Sequence, residues 1–115
     1  MRQNSVLVQK ADMLARLIYQ ISRQFPKEEL FGLTSQIRRA AISIPLNAIE
    51  GFARQSEKEY RRFLEISYGS LKEVKYLLYF VYIEKYICKK DYDKILDLSE
   101  EIGKILWTII QKLKN

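Results

Sequence analysis

The sequence predicts an all-α protein, an antiparallel up-down-up-down four-helix bundle formed by a single domain over residues 1–115. Three observations lead there. Apolar residues recur at helical spacing along nearly the whole chain, and no alternation long enough for a strand interrupts them. A content of 48% hydrophobic and 30% charged residues, with four Gly and two Pro, suits ordered amphipathic helices. A chain of 115 residues also buries roughly two-thirds of its unfolded surface, enough for one core.

The first helix shows as the stripe Leu7, Ala11, Leu14, Ile18, Ile21 and Phe25. Pro26 is expected to stop it, because proline lacks an N–H and restricts the residue before it. Glu28 and Glu29 then suit a helix start, while Thr34 after Gly32 offers a later one; the pattern leaves both open. The second helix carries two stripes, Leu33, Ile37, Ala40, Ala41, Ile44, Ala48 and, beside it, Ile42, Pro45, Ile49, Phe52. So wide an apolar girth predicts burial against more than one neighbouring layer.

Gly51 and the polar run Arg54, Gln55, Ser56 mark the end of that helix. Ser56 and Glu59 form a capping box that opens a long third helix. Its core face reads Tyr60, Phe63, Leu64, Ser67, Leu71, Val74, Leu78 and Val81 before it fades near Lys89 and Lys90. Asp91 is the expected N-cap of the fourth helix, whose stripe is Ile95, Leu98, Ile102, Ile105, Ile109 and Leu113. The doubly apolar second helix and the long third predict surface that another subunit covers.

Composition narrows the chemistry. There is no histidine and a single cysteine, Cys88, which removes triad catalysis, the usual zinc sites and any internal disulfide. Gly32, Gly51, Gly69 and Gly103 are too scattered for a phosphate-cradling loop. The neighbours Glu28/Glu29 and Glu100/Glu101 diverge by about 100° on a helix and cannot converge on one reacting atom. The expectation is a protein that is not an enzyme and that uses no cofactor and no metal. The longest apolar run, residues 76–83, is far short of the ~20 residues that span a bilayer. With no signal-peptide pattern at the start, a cytoplasmic location without a membrane partner is expected.

The net charge of +6 is uneven: eight bases and four acids lie in residues 1–54, eight and five in 55–90, four and five in 91–115. Such a balance suits a polyanionic partner, RNA or DNA. Four features bear on this. Arg38 and Arg39 read either as phosphate contacts or as structural ion pairs, Arg39 with Glu50 or Glu73. Asn47 and Glu50 read as local repair around the kink at Pro45.

The Tyr/Lys face of the third helix includes Tyr68, Lys72, Lys75, Tyr76 and Tyr79. It suits a subunit interface or, as the other reading, base stacking. Arg54, Lys58, Arg61 and Arg62 around the second turn form a solvated charged face in a monomer. Repeated around a ring, they become a belt of positive potential.

The runs FPKEELFGLTSQIRRAAISIPLNAIEGFAR and EYRRFLEISYGSLKEVKYLL resemble the four-helix-bundle family encoded by intervening sequences in bacterial 23S rRNA genes. That family includes the accessory variability determinant of diversity-generating retroelements. The resemblance covers about residues 14–110 and rests on FP-x-x-E-x-x-G-L, SQIRRA, SIP-x-N, EGF-x-R and GSL-x-E. It implies a homopentameric ring with a basic surface and, from the retroelement relative, nucleic-acid binding beside a reverse transcriptase. Arg38, Arg39, Asn47, Glu50, Gly51 and Arg54 fall on its central motif, and Gly69, Ser70 and Glu73 on that of the third helix.

This chain departs from the family's usual N-I-A-E-G order, reading Asn47-Ala48-Ile49-Glu50-Gly51. The exchange moves bulk about 100° around the helix.

Two functions follow as expectations. The first is a homo-oligomeric bundle binding structured RNA or an RNA–protein complex through Arg54, Lys58, Arg61, Arg62, Lys72 and Lys75. In it Arg38, Arg39, Asn47, Glu50, Glu73, Tyr76 and Tyr79 lock helices or subunits together. The alternative is an oligomeric protein–protein adaptor whose tyrosine face meets other chains and which has no nucleic-acid binding of its own.

Overall fold

The computed structural model describes residues 2–114 and contains four long helices: α1 (Arg2–Ser22), α2 (Ser35–Phe52), α3 (Glu57–Ile83) and α4 (Lys89–Leu113). No strand occurs among the described residues. Each helix packs on its neighbours in sequence and α4 closes on α1, giving an up-down-up-down bundle of 44 × 25 × 19 Å. The predicted stripe of α1 and, Phe63 apart, that of α3 line the core, with Leu7, Leu14, Ile18, Leu64, Leu71 and Leu78 fully buried. In α4 the buried line turns slightly from the predicted one, adding Ser99, Leu106 and Ile110, while Leu98, Ile105 and Leu113 pack at its margin.

The ends of the elements differ from the sequence pattern for local reasons. α1 stops at Ser22, before Pro26, and Phe25 reaches the core from the connecting turn. Both candidate starts of the second helix are used: a 3-10 turn at Lys27–Glu29 and a wide turn at Leu30–Thr34 precede α2. The backbone leaves helical values at Gly32 (φ −112°, ψ −109°), a kink inside the wide turn. Glu29 ties this connection down. Its carboxylate accepts from the Leu33 N–H at 3.4 Å and from the Tyr86 hydroxyl at 3.1 Å, which joins the α1–α2 and α3–α4 connections. That hydrogen bond holds the Tyr86 phenol pKa above its ordinary value, so Tyr86 stays a donor.

At the start of α3 the Ser56 hydroxyl accepts from the Glu59 N–H at 3.0 Å, the forward half of the capping box. Its far end closes with Lys85 N–H donating to Tyr82 O and Tyr86 N–H to Val81 O, each at 2.9 Å. This is the paired C-terminal motif that calls for a left-handed residue, and Lys85 supplies it at φ 65°. α4 is then capped at Cys88, and Asp91, the expected cap, sits within the first turn where its charge meets the helix dipole.

Within a single chain the first α2 stripe is buried, while of the second only Phe52 packs against the core. Ile37, Ala40, Ala41, Ile44 and Ala48 lie in the core, whereas Ile42, Leu46 and Ile49 face outward, Leu46 being 58% exposed. The inner face of α2 thus combines Ile37 and Ile44 with three alanines, while Ile42, Leu46 and Ile49 make its outer face apolar as well.

Lys85 gives a direct check on the fold. Replacing it with glycine removes the steric cost of left-handed backbone, so Lys85→Gly is expected to raise stability by about 0.5–1 kcal/mol. Lys85→Val should lower it, and urea unfolding monitored by circular dichroism reads both.

Candidate nucleic-acid interface

Four of the six predicted phosphate contacts lie at the α2–α3 turn, two of them against one half-buried ring. Arg54 follows α2 and places its guanidinium carbon 4.8 Å from the Phe63 ring centroid; Arg62, on α3, lies 5.4 Å from it. Both are also paired with a carboxylate of their own helix turn, Arg54 with Glu50 and Arg62 with Glu59 at 3.6 Å. A guanidinium carries several N–H donors in one plane, so a single carboxylate does not exhaust it. Lys58 is exposed and without an ion pair among the described residues. Arg61 is half-buried, and its Nε has no hydrogen-bond partner there.

Lys72 and Lys75 lie elsewhere. They are ten or more positions beyond Arg62, about 15 Å along the helix, and face a groove between α3 and α4. The Lys72 ammonium sits 5.2 Å above the Tyr68 ring. Lys75 bridges the two helices to Glu100 at 2.9 Å. This hydrogen bond, with the charge of Lys75, holds the Glu100 carboxyl below the usual range, and Lys72 and Lys104 add to the effect. The neighbouring Glu101 reaches the opposite way to Lys10 on α1 at 2.8 Å, the divergence expected of adjacent helical acids.

Trp107 and Lys104 complete this groove and were not among the predicted site residues. They lie off the apolar stripe of α4, where the chain reads as a solvated face. The available signal was a lone tryptophan three residues after a lysine on that face.

The residues expected to form a lock divide differently. Arg38 Nε donates to the Ser22 hydroxyl at 2.7 Å and Nη2 to the Tyr19 carbonyl at 3.4 Å, with the guanidinium 4.8 Å over the Tyr19 ring. A cation thus closes the C-terminal turn of α1, where the helix dipole favours it. Arg39 is exposed and forms no ion pair among the described residues; Glu50, one of its expected partners, lies eleven positions along α2, about 16 Å away, and pairs with Arg54. Arg39 and Glu73 instead border one polar groove with Phe31 and Gln36.

Asn47 bonds near Pro45 but not to the carbonyl of residue 41 that the proline leaves free: its amide donates to the Ser43 carbonyl and hydroxyl at 2.8 Å each. Ser43 in turn meets Ser70 of α3 at 2.8 Å, so the hydroxyls, not Arg39, link α2 to α3 here. Tyr76 and Tyr79 project outward from α3, 63% and 51% exposed.

No cluster of three or more potential metal ligands occurs among the described residues, and no helix is long and apolar enough to cross a membrane. The family described as 23S rRNA-intervening sequence protein matches residues 3–108 of the chain. A crystal structure from Bacteroides thetaiotaomicron, a protein of unknown function from the S23 ribosomal protein family, superimposes with a TM-score of 0.87 at 28% identity. The match covers 95% of this chain and 98% of that one. No curated protein matches.

The two arginines should separate in mutagenesis. Arg38→Ala removes a charged donor from two acceptors and is expected to cost about 1–2 kcal/mol in urea unfolding. Arg39→Ala is expected to leave the curve in place; a comparable loss there would return Arg39 to a structural role.

Proposed function

The chain belongs to the 23S rRNA-intervening sequence protein family, and within it we propose a non-enzymatic, homo-oligomeric helical bundle that binds nucleic acid, structured RNA or an RNA–protein complex being the partner. One observation carries the reading: Arg54 and Arg62 are stacked on a single ring, Phe63, beside Lys58 and Arg61, which have no carboxylate partner. Guanidinium planes fixed against an aromatic ring keep their outer N–H groups aimed at solvent, the arrangement that recognises phosphate oxygens. The net charge of +6 and the family's tie to a 23S rRNA sequence support the same partner class. Contacts of this kind bind the backbone of a nucleic acid without reading its sequence.

Assembly is part of the proposal. Phe31 is 93% exposed, and Ile42, Leu46 and Ile49 on α2 and Tyr76, Tyr79, Phe80 and Ile83 on α3 face outward. Apolar surface on this scale marks contact with another chain, and a second copy supplies such contact in a cytoplasmic homo-oligomer. Five subunits, and work beside a reverse transcriptase, follow from the family resemblance. A ring repeats the basic turn at each protomer, so that modest local charge becomes a continuous belt.

Two experiments test this reading. Lys58→Glu with Arg62→Glu, both exposed, is expected to weaken binding of a structured RNA by about tenfold or more at near-physiological salt. Fluorescence anisotropy reads the binding, and an unchanged circular-dichroism melt shows that the bundle survives. Equal binding by wild type and double variant would take the α2–α3 turn out of the interface. Separately, Leu46→Asp is expected to convert a sedimenting oligomer to monomer without loss of helix. A wild-type protein that sediments as a monomer throughout would end the oligomeric part of the proposal.

A further inference from the structure

We propose that the groove between α3 and α4 is a binding site for one unpaired nucleotide, its base stacked on Trp107 and its phosphate held by Lys72 and Lys104. The inference rests on the nucleic-acid reading above and adds to it a place, and a preference for unpaired over paired strands.

Trp107 is the sequence's one tryptophan and is 52% exposed, although an indole is among the side chains with most to gain from burial. It touches Tyr68 at 5.9 Å between centroids with 41° between planes, a tilted contact that leaves much of the indole open. One turn earlier on α4, Gly103 contributes no side chain. A Cβ there would lie 3.3 Å from Leu71 Cδ2, so glycine keeps the floor of the groove clear where the helices approach. The resulting space is about 310 Å³, at the small end of ligand pockets: room for a base, not for a duplex.

Charge selects the occupant. Lys72, Lys75 and Lys104 surround one acid, Glu100, and all three act on its carboxylate. Lys75 is engaged by that acid, whereas Lys72 and Lys104 have no ion pair among the described residues. An aromatic platform between free ammonium groups is the composition that takes single strands, because every base offers a π face and every nucleotide a phosphate. A base inside a duplex is already stacked on both sides and cannot use it. Lysine-rich surroundings also argue against a protein partner, since lysine is depleted from the centres of protein interfaces.

Because Trp107 stands alone, its fluorescence reports on this groove and on no other part of the chain. The full protein is titrated with a short oligouridylate, with an abasic ribose-phosphate strand of equal length and with duplex RNA, while anisotropy gives occupancy independently. The oligouridylate is expected to quench Trp107 emission and the duplex, at matched occupancy, to leave it unchanged. Trp107→Leu should weaken oligouridylate binding by about 5- to 100-fold, the worth of one stacked base, and Trp107→Phe should restore most of it. Glu100→Gln should tighten binding by releasing Lys75.

Oligouridylate and abasic strand binding equally with unchanged emission would overturn the stacking site and leave the nucleic-acid reading intact. Quenching by the duplex to the same extent would also overturn it. Emission that shifts with protein concentration alone would mean that a second copy covers Trp107, and would likewise end the proposal. Absence of binding to any of the three strands would overturn the function proposed above together with this site.

Discussion

The close approach of α2 and α3 is the constraint on which the other features of the molecule depend. A side chain at Gly51 would place its Cβ 3.2 Å from Phe63 Cβ and from the Tyr60 carbonyl, closer than packed carbon atoms sit. Ala40, Ala41 and Ala48 continue that small-residue face in the core, and two hydroxyl bonds fasten it. Ser67, fully buried, donates to the Ile44 carbonyl at 2.8 Å, and Ser43 meets Ser70 at the same distance. Such bonds in a poorly solvated interface are costly to break, so they fix the register of the two helices. That register in turn sets Arg54, from the end of α2, and Arg62, from the start of α3, on one phenyl ring.

The apolar content of α2 exceeds what its inner face takes up. With Ile37, Ile44 and three alanines already buried, α2 also carries Ile42, Leu46 and Ile49 where a solvated helix would carry charge. The local order Asn47-Ala48-Ile49 illustrates this. Ala48 is fully buried and Ile49 is 49% exposed, so the departure from the N-I-A-E-G order adds bulk to the outward face and removes it from the core. The helix keeps its close contact with α3 while gaining apolar surface that the protomer itself does not cover.

Periodicity made the core legible, because a stripe at 3.6-residue spacing has few alternatives once strands are excluded. It failed where two answers share one pattern. The doubly striped α2 reads the same whether its second face meets the bundle or another molecule, and only packing decides. Asp91 reads as an N-cap by residue type, yet α4 starts earlier, after the left-handed turn at Lys85, and Asp91 falls inside its first turn. For the site, residue type identified the cations but not their partners. Arg39 and Glu50 lie eleven positions apart on α2, about 16 Å and out of reach of each other, and Glu50 pairs instead with Arg54 four positions on, just past the helix end. Trp107 and Lys104 escaped notice because their significance comes from α3, through Tyr68 and Lys72, and no spacing within α4 encodes that.

The two cationic regions differ in what they can discriminate. At the α2–α3 turn the arginines already hold carboxylates, and exposed ion pairs of this kind contribute little net stability. A phosphate can therefore replace Glu50 or Glu59 at small cost, on any strand that brings one within reach. In the proposed function such a surface would supply affinity and salt dependence and would treat paired and unpaired strands alike. The α3–α4 groove adds a physical difference between them, since a base must leave its own stack to occupy the Trp107 face. In the proposed function, charge on the first surface would gather nucleic acid and the aromatic floor of the second would sort it by structure, with no base-edge contact required at either.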